Sequence, residues 1–64
     1  MTAMYTVQIS ECAGHARRSY TLEADGREEA EQAAADRWYA ETGDEDTVAD
    51  DIPMTVSTID GTIV

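Results

Sequence analysis

Carboxylate side chains crowd one short stretch of this 64-residue sequence, and they are the first candidates for chemistry. Residues 42–51 read TGDEDTVADD, with acids at positions 44, 45, 46, 50 and 51. A calcium loop needs oxygen ligands at loop positions 1, 3 and 5, glycine at 6 and glutamate at 12. Counted from Asp44, the last three of those positions fall on Val48, Ala49 and Thr55. The spacing fails, so we predict no dedicated metal site.

Cys12 and His15 are the only cysteine and histidine, and they are spaced as C-x-x-H. A structural zinc site takes four such ligands, so only a dimer could complete one. A catalytic cysteine needs an orienting group for its histidine and an oxyanion motif, and neither accompanies this pair. Because no phosphate loop or other catalytic signature occurs either, we predict no catalytic residue, no cofactor and no enzymatic activity.

Acidic residues dominate the charge of the chain. The sequence has 14 Asp and Glu against 4 Arg, and its formal net charge is -10. Such a charge repels phosphate backbones and anionic lipid, which argues against direct binding of nucleic acid or membranes. The segment from Glu23 to Asp51 holds 12 of the 14 acids and two of the four arginines, so it carries all of the net charge.

The length predicts a single domain, residues 1–64, close to the lower limit for folding without a disulfide, a metal or a partner. A homodimer is therefore one alternative. The single cysteine cannot form an intramolecular disulfide, and no apolar run resembles a membrane span or a signal peptide. These features favour the cytoplasm.

Three segments alternate apolar and polar residues, as half-buried strands do: 4–12, 19–24 and 52–59. Gly14 lies between the first two, which predicts a hairpin with a loop of about four residues. Asp60 and Gly61 predict a second hairpin, in which residues 62–64 form a short fourth strand with Ile63 on the face of Val56.

A helix is predicted near residues 26–42, where good helix formers predominate. Asp25 is the expected N-cap, with Glu28 reaching back to it as in a capping box, and Gly43 is the expected left-handed C-cap. At the end of the helix, we expect Arg37 and Glu41 to pair with each other beyond the sheet edge.

The helix has a small apolar face that predicts close packing on a sheet. At 100° per residue, this inner face consists of Ala30, Ala33, Ala34, Trp38 and Ala40. Tyr39 falls with the acids on the outer face. It is either an exposed neighbour of a core tryptophan or an anchor for a partner.

The element order ββαβ with a terminal hairpin predicts an α+β fold. We expect an antiparallel sheet of three to four strands, in spatial order 2-1-3, with one helix packed on one face. The second sheet face is polar and suits solvent or a wet partner surface.

Two explanations for the acids follow. In the first, they form a phosphate-like face that binds a basic surface of a protein or ribonucleoprotein complex. The predicted partner-binding residues are Glu28, Glu31, Asp36, Tyr39, Asp44, Glu45, Asp46, Asp50 and Asp51. In the second, the chain is a non-catalytic interaction or regulatory subunit, and its acids keep it solvated in a salt-adapted host.

A very short acidic chain with this element order and the run LEADGREEAEQAA, residues 22–34, resembles small proteins of phages and other mobile elements. Among these are anti-CRISPR and anti-restriction inhibitors. The resemblance extends over the whole architecture but includes no diagnostic motif. It implies a stoichiometric blocker of a nucleic-acid-binding complex.

Overall fold

The computed structural model describes residues 2–64 and has the predicted α+β architecture. Its elements are β1 (Ala3–Ile9), β2 (Arg18–Ala24), α1 (Arg27–Thr42), a short 3-10 turn (Ala49–Asp51) and β3 (Met54–Thr58). The strands form one antiparallel sheet in the order β2-β1-β3, with α1 packed against it. The predicted fold class, strand order and central position of β1 are confirmed.

The register of the sheet aligns the core residues in rows. Val7 of β1 lies between Tyr20 of β2 and Val56 of β3. Because side chains alternate between the two faces of a strand, this row and its neighbours two residues away point to the same side. Val7 and Ile9 are fully buried there, beneath the helix.

Small residues let α1 lie close to the sheet. Ala30 and Ala34 are fully buried, and Trp38 fills the space at the far end of the same stripe with no exposed surface. Two positions differ from the predicted inner face: Ala35 is buried and Ala40 is exposed. The stripe is therefore rotated towards β3. None of the helices within residues 2–64 combines the length and the apolar character needed to cross a membrane.

The C-terminal end of α1 agrees with the prediction, whereas the N-terminal end does not. The left-handed C-cap at Gly43 is confirmed, with φ 72° and its N–H donating to the Tyr39 carbonyl. The predicted capping box is wrong, because Gly26 is the N-cap and no side chain caps the helix. Glu29, rather than Glu28, reaches back, and its carboxylate accepts the Asp25 N–H at 2.7 Å. Glu28 is thereby left outside the cap.

The predicted Arg37–Glu41 pair does not form. Glu41 instead accepts hydrogen bonds from Arg18 at 2.8 Å and from the Tyr20 hydroxyl at 3.1 Å. Arg37 lies over the Tyr20 ring, with its guanidinium carbon 5.9 Å from the ring centroid. Burial, followed by the bond to Glu41, raises the pKa of Tyr20. Tyr20 therefore connects the end of the helix to the β2 edge of the sheet.

The turn between β1 and β2 is tighter than the predicted loop of about four residues. Cys12 and His15 exchange backbone hydrogen bonds of 3.2 and 2.8 Å around Ala13 and Gly14. Both central residues have positive φ, 50° and 80°, as a two-residue type I′ turn requires. The turn holds His15 at the end of the sheet near Trp38.

The terminal hairpin forms as a single β-bridge between Ser57 and Ile63. The N–H of Val64 donates to the Val56 carbonyl at 3.0 Å. Residues directly opposite each other share a face, so Ile63 lies on the face of Ser57 and not, as predicted, on that of Val56. It is 72% exposed as a result.

Candidate functional site

A groove with a volume of about 570 Å³ runs between one flank of α1 and the segment 49–54. Its walls come from different parts of the chain. One wall is the helix, and the other is the 3-10 turn with the start of β3. The volume falls within the usual range for ligand sites, roughly 300–1,000 Å³.

Apolar side chains form the floor of the groove. Ala35 and Ile52 are each only 5% exposed, and they belong to the core. Met54 and Tyr39 are half-buried and pack against that core while also lining the groove. Ile52 and Met54 face the same way because they are two residues apart in extended chain. The floor is thus an accessible margin of the hydrophobic core.

Carboxylates form the rim. Glu28, Glu31 and Asp36 stand on the helix side, and Asp50 stands on the 3-10 turn across the groove. The ion pairs within residues 2–64 involve Asp44, Glu41 and Glu31, the last with Arg27 at 3.6 Å. Within the part of the chain that the structure describes, Glu28, Asp36 and Asp50 therefore form no ion pair.

Asp44 has a different role from the rim acids, because its carboxylate organises the loop after α1. It accepts the backbone N–H groups of Asp46 at 2.9 Å and Thr47 at 2.8 Å, and the Thr47 hydroxyl at 2.9 Å. The Thr47 N–H is the main cause that lowers the pKa of Asp44. The side chain is only 11% exposed. Asp44 therefore offers little surface to a partner.

His15 and Tyr39 attach this loop to the rest of the fold. Nε2 of His15 lies 3.2 Å from Oδ2 of Asp44, and the His15 ring meets Trp38 edge-on at 5.1 Å between centroids. The Tyr39 hydroxyl donates to the Thr47 carbonyl. Desolvation, and then the charges of Asp44 and Asp51, raise the pKa of Tyr39, which stays protonated as a donor. The loop is thus held to the hairpin turn and to the helix.

The structure brings together five of the nine residues predicted to bind a partner: Glu28, Glu31, Asp36, Tyr39 and Asp50 line one groove. The exposed Glu45, Asp46 and Asp51 lie outside its lining, and Asp44 is engaged within its own loop. Tyr39 is half-buried and anchors the loop, so it is not simply an exposed neighbour of Trp38.

Sequence reasoning missed the floor of the groove. The sequence predicts Ile52 and Met54 only as part of the alternating segment 52–59, and Ala35 is not in the predicted inner face of the helix. Ala33, Ala34 and Ala35 are consecutive, and Ala33 and Ala35 lie on opposite sides of Ala34 around the helix. A small rotation of the helix about its axis therefore buries Ala35 in place of Ala33. Only the packing of α1 over β3 reveals which alanine faces the groove.

The C-x-x-H pair makes contacts that the sequence alone did not indicate. Asp44, 29 residues away from His15, supplies the partner of the imidazole ring, while Cys12 is half-buried against the core. Within residues 2–64, no group of three or more His, Cys, Asp or Glu side chains is arranged to hold a metal ion. The arrangement ties a turn to a loop.

The uncovered face of the sheet differs sharply from the helix side. Paired rows there include Thr6 with Thr21 and Ser57, and Gln8 with Ser19 and Thr55. Glu23, opposite Met4, is the one acid among the strand residues. Most of the negative charge therefore lies on the helix and in the loop that follows it.

No protein-family model, curated protein or solved structure matches this chain.

Proposed function

We propose that this protein is a small non-catalytic inhibitor that binds a basic surface on a protein or ribonucleoprotein complex and keeps nucleic acid away from it. The observation that supports this most directly is the groove, where carboxylates of Glu28, Asp36 and Asp50, which form no ion pair within residues 2–64, surround an apolar floor. The combination fits a protein surface better than it fits water or a metal ion.

Each half of the groove contributes differently to binding. The carboxylates supply charge complementarity, which accelerates encounter with a basic surface and rejects acidic competitors. The apolar floor supplies burial, worth about 25 cal/mol per Å² of area removed from water. A purely solvating acid shell needs no such floor. The groove therefore favours the binding interpretation over solvation alone.

The net charge of -10 also defines how inhibition would work. The protein repels phosphate backbones, so it competes with nucleic acid for a basic site and does not bind the nucleic acid itself. The proposed setting is the cytoplasm, a reducing compartment in which the lone Cys12 remains a thiol.

The test begins with capture of the partner from the native host at low salt. The purified partner is then assayed for DNA or RNA binding in the presence of increasing amounts of this protein. We expect about one equivalent of the wild type to displace the nucleic acid. Raising the salt from 50 to 500 mM shortens the electrostatic screening length roughly threefold. This change should weaken the inhibition steeply.

Two charge reversals in the rim, Glu28→Lys and Asp50→Lys, sharpen the test. Each removes one attraction and adds one repulsion, at about 1 to 4 kcal/mol for a contact near 4 Å, so we expect at least tenfold weaker inhibition. Glu11→Lys is the matched control, because it makes the same charge change on an exposed residue outside the groove. Equal inhibition by rim and control variants, or no displacement of nucleic acid, would refute the proposal.

A further inference from the structure

We infer that the groove recognises a short extended segment in which an apolar side chain is flanked by arginines. This inference rests on the proposed function and specifies the partner feature that the site takes. The groove between α1 and residues 49–54 has both elements such a segment requires, a floor for the apolar side chain and a carboxylate on each wall.

The apolar side chain follows from the floor. Ala35 leaves space beside the helix because it carries only a methyl group, and Ile52 closes the bottom. Met54 is half-buried at the side of this space. An unbranched thioether adapts its shape to a range of aliphatic partners. We therefore expect a leucine-sized group to insert over this floor.

The flanking charges follow from the rim. Glu28 and Asp36 on the helix and Asp50 across the groove present acceptors on both sides of an inserted side chain. Arginine suits these positions better than lysine, because guanidinium is more weakly hydrated and pairs with carboxylates in a bidentate manner. The same fold already places Arg37 over the Tyr20 ring. Tyr39 also lines the groove.

A second copy of this chain is a poorer occupant. Each copy carries a net charge of -10, so two acidic grooves repel. Three of its arginines already have partners within the fold: Arg18 pairs with Glu41, Arg27 with Glu31, and Arg37 with Tyr20. Charge complementarity therefore points to a foreign basic segment.

Two synthetic peptides of equal charge test the inference: Arg-Leu-Arg-Leu-Arg and Arg-Gln-Arg-Gln-Arg, both acetylated and amidated. Binding is followed by backbone amide shifts of the ¹⁵N-labelled protein. We expect the leucine peptide to shift residues 28–39 and 49–54 and to bind at least tenfold more tightly, a difference of about 1.4 kcal/mol. Equal affinities would show attraction by charge alone and would overturn the inference.

A pair of methionine variants locates the apolar contact. Met54→Gln keeps the length of the side chain and the net charge but makes the groove floor polar. Met4→Gln is the control, because Met4 is exposed on the uncovered sheet face, outside the groove. We expect Met54→Gln to lose most of the preference for leucine and Met4→Gln to retain it. If the two variants behave alike, the floor is not the binding surface.

The peptide experiment and the inhibition experiment test different claims, so either claim can be refuted while the other stands. If rim reversals abolish inhibition while the two peptides bind equally, the proposed function stands and the apolar recognition is wrong. If the leucine peptide binds as expected while no nucleic acid is displaced, the groove is a peptide site and the inhibitor function is wrong. Sedimentation of the protein alone tests the remaining alternative, that a second copy of the chain occupies the groove. Dimerisation accompanied by shifts of the same groove amides would assign the site to that second copy and overturn the inference.

Discussion

Replacing Trp38 by alanine is the most demanding test of how the fold is held together. Trp38 has no exposed surface and is the largest fully buried side chain. Its ring meets His15 and Tyr39 edge-on, at 5.1 and 5.4 Å between centroids. It thus packs simultaneously against the core, the hairpin turn and the base of the acidic loop.

The expected cost is comparable with the whole stability of the domain. Truncating a buried tryptophan to alanine costs about 3 to 5 kcal/mol. The two edge-on contacts, each worth about 0.5 to 1.5 kcal/mol, place this site at the upper end of that range. At about 0.05 to 0.15 kcal/mol per residue, a chain of this length has roughly 3 to 10 kcal/mol to lose. We expect Trp38→Ala to be largely unfolded at 25 °C.

The assay is urea denaturation followed by far-ultraviolet circular dichroism, since the variant lacks the fluorescent indole. Trp38→Phe provides the comparison. Within residues 2–64, the Trp38 N–H has no hydrogen-bond partner, so phenylalanine removes an unsatisfied donor that costs about 1 to 3 kcal/mol. This gain offsets part of the lost packing, and Trp38→Phe should stay folded. An undiminished transition for Trp38→Ala would refute the helix phase described above.

Two further predictions concern the acidic loop and metals. Asp44→Asn should lower the melting temperature at pH 7 relative to the exposed control Asp46→Asn. Because hydrogen bonds hold the folded pKa of Asp44 below its ordinary value, this stabilisation is present above the unfolded pKa of about 3.9 and is lost as pH falls through the folded pKa. The gap between the two variants should therefore begin to narrow below about pH 4 and continue to narrow as the pH falls further, and an equal gap at pH 7 and pH 3 would contradict the assignment. Adding EDTA should leave the melting temperature unchanged, and a large drop would restore Cys12, His15 or the acidic loop as metal ligands.

Local sequence signals were sufficient for most of the fold. Alternation identified the strands, and Gly43 and the alanine-rich run identified the extent of α1, predicted near 26–42 and observed at Arg27–Thr42. The strand order followed from the element order, because a helix between β2 and β3 returns the chain to the free edge of β1. The strands and the extent of the helix thus depend on periodicity or on the local backbone requirements of glycine, and the strand order depends on chain connectivity.

The candidate site was predicted only in part, for an identifiable physical reason. Its helix acids could be found because they share a helix flank. Its floor depends on which alanine of a three-residue run faces β3, and that is set by packing across the core. The role of Asp44 depends on His15, 29 residues away, and no sequence spacing encodes such a contact. Adjacent acids also made the capping residue ambiguous, and Glu29 took the role expected for Glu28.

The carboxylates of Asp44 and Asp50 therefore have different roles, and the position of Asp50 depends on Asp44. Asp44 is held by hydrogen bonds within the loop, whereas Asp50 stands on the groove rim and forms no ion pair with any residue from 2 to 64. Trp38 and His15 position Asp44, and Tyr39 holds the Thr47 carbonyl just before the 3-10 turn that carries Asp50. The position of the Asp50 carboxylate on the far wall thus depends on the hydrogen bonds of Asp44. If the loop were released, the helix acids would remain and the net charge would not change, but the groove would lose its second wall. A charge count alone therefore does not describe this surface, because the geometry of the groove depends on the carboxylate of Asp44, which lies outside the groove lining.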